Sequence, residues 1–541
     1  MRFDNVLAEI NGFGRFQLRT FLLLIIPRLT LPFNFLLNNF ITFIPSHHCD
    51  IRSQNNGGVF RNLSLEERLN VNIPFEQDGS LSSCQMFAEP QYQLLSNSSN
   101  LTYIPTMPCQ NGWIYDTTIF RSTLATEWDL VCDKKKMNRA TATIFFVGVM
   151  LGSGIFGFLS DRFGRKKTLL LSYMASFIFG IATALSYNFL MFATMRFCTG
   201  LGLSGISISS YVLCLEWVEI RHRTTVAVLM SLDWSVGCVI LPGMAYLIND
   251  WRFLTAAVIS PLFPAMLCWW LPESARWLMS NGKTDDAHFY LSRCATVNGR
   301  EDVMADLKPE VLSTVILVED ENRKYSYLDL VKTPKMRRRA LISGIVWFGV
   351  AFAYYGISLN ISGFGVNIYL TQFIYGVIEI PAKGFVFFTV DKIGRRWNQA
   401  GMLILTGLLI FSSVFIHAAV GALGKMFSEG SFTIVFLYTT ELYPTVMRQN
   451  GLGYCSFMAR VGVAVSPLIM LLEDVWVNLP SFVFSLVALG SGLSASLLPE
   501  TYNVRLPETI EDVEQTTVFY TCSIHVEYEV ILPPRGGNIQ I

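Results

Sequence analysis

The sequence predicts an all-α polytopic membrane protein whose twelve transmembrane helices form two parallel six-helix repeats, and three observations carry that prediction. The first is composition. Of 541 residues, 52% are hydrophobic, 13% aromatic and only 15% charged, and the mean hydropathy is +0.41. Soluble domains run at about a quarter charged, so this chain lacks the polar surface that several soluble globules of its length need. The second is a series of twelve apolar runs, each near the roughly 20 residues that a helix needs to cross a bilayer. The third is a set of motifs that recurs in the second half at nearly one offset. The balance of 41 Lys+Arg against 41 Asp+Glu excludes a nucleic-acid binder working through bulk basic charge, and no long single-sign tail is present.

Residues 1–17 precede the first run and are expected in the cytoplasm, ahead of an N-terminal six-helix bundle at 18–271. Its first run, 18–45, is interrupted by Pro27, Arg28, Pro32, Asn34, Asn38 and Asn39 and is followed by no small-x-small cleavage site. It therefore reads as a span with polar residues turned to a bundle interior, and not as a signal peptide. Residues 46–138 form a polar stretch that holds Cys49, Cys84, Cys109 and Cys132 together with sequons at Asn62, Asn97 and Asn100. Clustered cysteines and sequons mark an oxidising, glycosylated outer loop, and four cysteines leave three disulfide pairings open. Further spans are expected at 139–159, 168–186, 190–213, 224–247 and 251–271.

Residues 272–338 read as a cytoplasmic linker of short helices, since 272–339 carries twelve Lys/Arg and eleven Asp/Glu. The C-terminal bundle, 339–498, holds spans at 339–359, 365–390, 399–416, 420–440, 448–472 and 478–498. Residues 400–440 are nearly uninterrupted apolar sequence, and two helices with a very short turn are expected there. Residues 499–541 are expected to be a cytoplasmic tail, without helical pattern after 516.

Basic residues in short loops orient the chain. The segments 160–167, 215–223, 391–398 and 441–448 hold ten Lys/Arg, whereas the alternate short loops hold only Arg252. The first set is therefore cytoplasmic, both termini lie inside, and 46–138 lies outside.

Three motif pairs show an internal duplication. Asp161-Arg-Phe-Gly-Arg165-Lys166 recurs as Asp391-Lys-Ile-Gly-Arg395-Arg396, the pair Glu216 and Arg223 recurs as Glu441 and Arg448, and Leu271-Pro-Glu-Ser recurs as Leu498-Pro-Glu-Thr. Each pair follows the second, fourth or sixth span of its half. Parallel repeats of this kind imply alternating access around a central site. Acids and bases at the inner mouths of neighbouring helices can pair when the inner face is closed, which makes Asp161, Arg165, Glu216, Arg223, Asp391, Arg395, Glu441 and Arg448 gate candidates; the simpler reading of the arginines alone is the positive-inside rule.

These motifs also carry a resemblance. Gly157-x3-Asp161-Arg-x-Gly-Arg165-Lys resembles the loop signature of the major facilitator superfamily. Thr126-Glu-Trp-Asp-Leu-Val-Cys132, Pro272-Glu-Ser-Ala-Arg-Trp277, Glu441-Leu-Tyr-Pro-Thr445 and Pro507-Glu-Thr-Ile-Glu-Asp512, with the large outer loop, resemble solute carrier family 22. Gly12-Phe-Gly-x-Phe-Gln17, Tyr354-Tyr355-Gly, Pro381-Ala-Lys383 and Arg460-Val-Gly-x-x-x-Ser-Pro467 are similar to its organic anion branch. The resemblance implies the major facilitator fold and sodium-independent uptake or exchange of small amphipathic organic anions against a counter-anion. It also implies residence in the plasma membrane, with a basolateral placement, and no cofactor beyond chloride as a bound or exchanged ion. Three features depart from it: Asp233 in mid-span, the short connection between the ninth and tenth spans, and the tail after Gln515. The tail's last residues, Ile539-Gln-Ile541, fit a PDZ groove only as a short match.

A charge at bilayer depth costs at least about 2.5–3.5 kcal/mol and usually faces a cavity, so Arg28, Arg196, Asp233, Glu379, Lys383, Lys425, Glu429 and Arg460 are the informative residues. Glu379 and Lys383 are four apart, as are Lys425 and Glu429, which lets each pair neutralise itself on one helix face. Arg460 lies twelve residues into its span with no acid within a turn. Unless Asp233 or Glu379 reaches it, it needs a mobile anion, substrate or chloride. The resemblance ties Lys383 and Arg460 to anion binding and places aromatics along the site. Tyr354, Tyr355, Trp234, Phe432 and Phe436 are the candidates for a cage around an apolar substrate body, with Asn39, beside Asn34 and Asn38, as a hydrogen-bond donor.

Enzyme signatures fail. Gly200-Leu-Gly202-Leu-Ser-Gly205 lies inside a span and reads as close helix packing. The six histidines form no ligand cluster with cysteines inside the membrane, so no metal is expected, and no Walker sequence is present. The alternatives are an organic cation or zwitterion carrier, with Asp233 as counter-charge, and more remotely a polytopic enzyme or channel.

Overall fold

A computed structural model describes residues 3–52, 63–76, 79–95, 105–219, 222–266, 271–305, 327–359, 367–414, 418–444, 447–502, 504, 507 and 510–515. The sequons at Asn62, Asn97 and Asn100, the segment 516–541 and the side chain of Arg223 lie outside the described residues.

A helix corresponds to each of the twelve apolar runs. In the first half these are α1 (Arg15–Ile41), α2 (Lys135–Phe163), α3 (Arg165–Ala184), α4 (Phe189–Glu216), α5 (Arg223–Leu247) and α6 (Trp251–Ile259 and Leu262–Met266). The second half has α7 (Pro334–Leu359), α8 (Ile368–Ile393), α9 (Arg395–Ser413), α10 (Ala418–Leu442), α11 (Arg448–Ile469) and α12 (Leu479–Ala495). Among the described residues, nine helical stretches are long and apolar enough to cross a membrane; α12, with 17 residues, falls short of that length. The run at 251–271 is no continuous helix, because Pro261 and Pro264 remove backbone donors and break it between Ile259 and Leu262. The run at 400–440 holds two helices, α9 and α10, which pack against each other.

The helix contacts repeat the duplication. Within the halves, α2 and α3 pack on α4, and α9 packs on α10 and α12. Between the halves, α5 packs on α8 and α2 packs on α11. Advancing each number by six exchanges those two contacts, as a two-fold relation between the repeats requires. The α5–α8 seam is tight: a Cβ on Gly376 would stand 2.8 Å from the backbone of Cys238 and Val239.

The long loop between α1 and α2 is tied down by two disulfides, Cys49–Cys109 and Cys84–Cys132, one of the three pairings open to four cysteines. Strand β1 (His47–Cys49) pairs antiparallel with β4 (Trp113–Tyr115), and β2 (Gln85–Phe87) with β3 (Thr106–Pro108). His47, Cys84 and Cys132 place ligand atoms within 4.8 Å of one another, but both sulfurs are consumed in a disulfide and are not thiolate ligands.

The halves are joined at the ends opposite the Gly164 and Gly394 turns. Lys135 at the start of α2 lies 3.2 Å from Asp474, beyond α11, and Arg139 pairs with Glu473 and donates to the Met470 carbonyl. Phe40 of α1 stacks on Tyr369 of α8 with centroids 5.9 Å apart.

Candidate functional site

The described gate candidates form one cluster in each half, at the turn between its second and third helices. Gly164 turns α2 into α3 at φ 99° and Gly394 turns α8 into α9 at φ 88°, a region that favours glycine. Each glycine also yields space to an acid, since an added Cβ would lie 2.5 Å from Glu273 or 2.6 Å from Glu500. Those acids, from the Pro-Glu-Ser and Pro-Glu-Thr motifs, accept from the first backbone N–H groups of α3 and α9. Glu273 receives Arg165 N at 2.9 Å and Glu500 receives Arg395 N at 2.8 Å. A helix N-terminus carries unpaired donors and positive partial charge, so a carboxylate is the fitting cap. Burial pushes the Glu273 carboxyl above its usual range, and hydrogen bonds from Lys166, Ser274 and Arg165 pull it back in part.

Arg165 grips Glu216 of α4 through two nitrogens at 3.1 Å and reaches Asp161 at 3.1 Å. Arg395 repeats this with Glu441 at 3.1 Å and Asp391 at 3.0 Å. Arg448 feels the charge of Glu441. The ion pairs at Arg165 and Arg395 each lie within one half and clamp α2–α3–α4 and α8–α9–α10.

At membrane depth the charged residues pair differently from the spacing rule. Glu379 and Lys383 do not neutralise each other along α8, nor do Lys425 and Glu429 along α10. The pairs cross: Lys383 lies 3.4 Å from Glu429, and Lys425 lies 3.1 Å from Glu379. The reason is the facing of α8 and α10, which brings each lysine onto the other helix's acid in a buried layer where a partner across the interface also removes the charge from lipid. Glu379 further accepts from Tyr354 Oη at 2.6 Å and Ser235 Oγ at 3.2 Å, and Lys425 donates to Ser358 Oγ at 2.6 Å and sits 3.0 Å from the Tyr354 ring centroid.

Asp233 does not reach Arg460. It pairs with Arg28 of α1 at 2.5 Å, and Arg28 also donates to Ser210 Oγ at 3.0 Å. That partner explains an acid in mid-span. Arg196 donates to the Asn34 side chain at 2.9 Å and backbone carbonyl at 2.6 Å and lies 4.2 Å from the Phe145 ring centroid. Arg460 is half-buried; its Nε has no partner, and no hydrogen bond or ion pair engages it among the described residues. Tyr355 is the ionisable group its charge meets.

The aromatic candidates form a chain of rings across both halves. Trp234 of α5 meets Phe35 of α1 at 5.5 Å, Phe35 meets Tyr355 of α7 at 6.3 Å, Tyr355 meets Tyr354 at 5.1 Å, and Tyr354 meets Phe432 of α10 at 5.5 Å. Trp234 Nε1 donates to Tyr354 Oη at 2.9 Å, a bond between the halves. Phe436 lies one turn further along, against Trp347 at 4.5 Å, and is 45% exposed. Asn39 is already engaged: its amide donates to the Ser358 carbonyl at 2.7 Å and to Gln372 at 3.1 Å, joining α1 to α7 and α8. The sequence reading missed Phe35, Phe146 (5.3 Å from Tyr355) and Ser235. No motif marks them, because only the packing of α1, α2 and α5 brings them to this layer.

Two six-helix halves around a charged and aromatic layer define a secondary transporter of the major facilitator class. The sugar (and other) transporter family matches residues 91–512. Solute carrier family 22 member 7 of Rattus norvegicus is 43% identical over 95% of this chain and 98% of its own, and the Homo sapiens member 7 is 43% identical over 95% and 96%. Member 6-B of Xenopus laevis is 38% identical over 95% of each chain. The xylose transporter XylE from E. coli, in an inward open conformation, superposes with a TM-score of 0.55 at 17% identity, over 72% of this chain and 92% of that one, which shows the fold. The chain belongs to solute carrier family 22. It is a multi-pass membrane transporter and not an enzyme.

Proposed function

We propose that this transporter carries small amphipathic organic anions across the plasma membrane by alternating access, as sodium-independent uptake or exchange with a counter-anion. The observation that carries the reading is a charge imbalance at membrane depth. Among the described residues five cations lie there, Arg28, Arg196, Lys383, Lys425 and Arg460, against Asp233, Glu379 and Glu429, and all three acids already have a basic partner. A cationic substrate therefore meets no uncompensated acid, whereas an anion meets Arg460, a charge fixed at any physiological pH. The rings from Trp234 to Phe432 offer an apolar wall for the rest of the substrate.

In this reading the inner clusters keep each half rigid while the halves rock at the α5–α8 and α2–α11 seams. Both termini lie in the cytoplasm, and Asn62, Asn97 and Asn100 carry glycans outside. Chloride is the natural small occupant of the Arg460 site when substrate is absent.

Uptake of labelled 4-methylbenzoate and tetraethylammonium into cells expressing the chain tests the proposal. The benzoate should enter, and should be trans-stimulated by unlabelled benzoate preloaded inside. Saturable entry of tetraethylammonium without the benzoate would instead establish a cation carrier and overturn the reading.

A further inference from the structure

We infer that Glu429 is a specificity-determining residue: by quenching Lys383, it restricts the site to anions that bear a single negative charge. The inference rests on the anion-carrier reading and goes beyond it by fixing the charge of the substrate.

An ammonium has three donors, and those of Lys383 are all committed. Its Nζ lies 2.8 Å from the Ser231 carbonyl, 2.6 Å from Ser235 Oγ and 3.4 Å from Glu429, and both charged side chains are buried, 6% and 8% exposed. Lys425 is committed likewise to Glu379, Ser358 and the Tyr354 ring. Of the three cations at membrane depth in the C-terminal half, Lys383, Lys425 and Arg460, only Arg460 has no acid partner among the described residues. One carboxylate of a substrate can be neutralised there. A second would enter a layer in which the remaining lysines are spent and two protein carboxylates already stand, so it would be desolvated without a partner.

The crossed pairing makes the selector separable. Glu429 sits one turn from Lys425 on α10 yet serves Lys383 on α8, while Lys425 keeps Glu379. Glu429→Gln therefore removes the ion-pair partner of Lys383 at nearly constant volume while Lys425 keeps its direct partner Glu379, and turns a site with one free cation into a site with two.

The test compares 4-methylbenzoate with terephthalate, which replaces the methyl group by a second carboxylate at similar size. Uptake of each is measured in cells and divided by surface protein from biotinylation. The parent should take up 4-methylbenzoate at least about tenfold better than terephthalate, the discrimination expected when one charged hydrogen bond is missing. Glu429→Gln should raise the terephthalate-to-benzoate ratio by roughly tenfold. Glu429→Asp should keep the parental ratio, and Lys383→Met with Glu429→Gln should return it to the parental value. A parent that carries both anions equally overturns the inference, and this holds even if Glu429→Gln fails to reach the surface. A gain that persists in the double variant also overturns it, because the released cation is then not Lys383. A parent that carries neither anion but does carry tetraethylammonium overturns the anion-carrier reading itself.

Discussion

The two halves share a frame and differ in charge. Both turn their second helix into their third on a positive-φ glycine, both cap that third helix with the glutamate of a Pro-Glu motif, and both hold an arginine between an Asp and a Glu at that turn. At membrane depth the likeness ends. Asp233 lies ten residues beyond Arg223 on α5, and Arg460 lies twelve beyond Arg448 on α11, the helix that corresponds to α5 in the repeat. The first half carries an acid on this helix and pairs it with Arg28. The second carries an arginine with no acid partner among the described residues. Duplication supplies the common frame, and in the proposed function the helix pair where the copies diverge supplies the substrate's counter-charge.

Removing each charge should therefore have opposite effects on stability, and the larger is at Asp233. Asp233→Leu strands Arg28 in a buried layer, a loss of about 3–5 kcal/mol for a broken buried pair. Surface expression should collapse, and Arg28→Met together with Asp233→Leu should restore most of it. A single variant that reaches the surface at the parental level would show that the Arg28–Asp233 pair is no structural bond.

Arg460→Leu should do the reverse. It removes a charge that the protein does not pair, so thermal stability without substrate should hold or rise, while benzoate uptake falls by at least about tenfold, the scale of one charged hydrogen bond. Arg460→Lys should retain part of that uptake. If both Arg460 variants lose stability as Asp233→Leu does, the two halves are alike after all and Arg460 is a structural residue.

The inner clusters give a smaller and more even effect. Asp161 and Asp391 have side chains 77% and 64% exposed, whereas Glu216 and Glu441 are each 16% exposed and hold their arginine with two contacts. Exposed pairs contribute at most about 1 kcal/mol. Asp161→Asn and Asp391→Asn should thus shift unfolding little and equally, and Glu216→Gln and Glu441→Gln more, again equally. Unequal shifts between equivalent positions, read from thermal unfolding of the purified variants, would place an inner gate in one half only.

Most of this frame is legible in the sequence, because span length, basic loops and repeated motifs are properties of the chain read in order. The partners are not. Spacing on one helix suggests Glu379 with Lys383, and only the packing of α8 on α10 crosses them over. Asp233 looks anomalous until α1 brings Arg28 beside it, and Asn39 looks like a free donor until α7 and α8 take its amide. Cysteine count leaves three pairings for the outer loop, and strand pairing through β1 and β4 accompanies the one adopted.

That long loop is inserted after the first helix of one half alone, and it supplies the smallest expected effect. Burial holds the His47 imidazole below its ordinary value of 6.5; a hydrogen bond with the Pro45 carbonyl works the other way, and the neighbouring His48 charge adds a smaller lowering. The folded loop thus binds this proton less readily than the unfolded chain. The stability it contributes is fully present above 6.5 and is lost as pH falls from there through the depressed folded value. Acidification should therefore weaken the parent slightly more than His47→Asn, whose amide can still donate to Pro45. With the ring only partly buried, the difference between the two in unfolding temperature, measured at about pH 7.5 and about pH 5.5, should be at most about 2 °C. A variant that loses as much stability on acidification as the parent would show that His47 takes up its proton equally in the folded and unfolded chain.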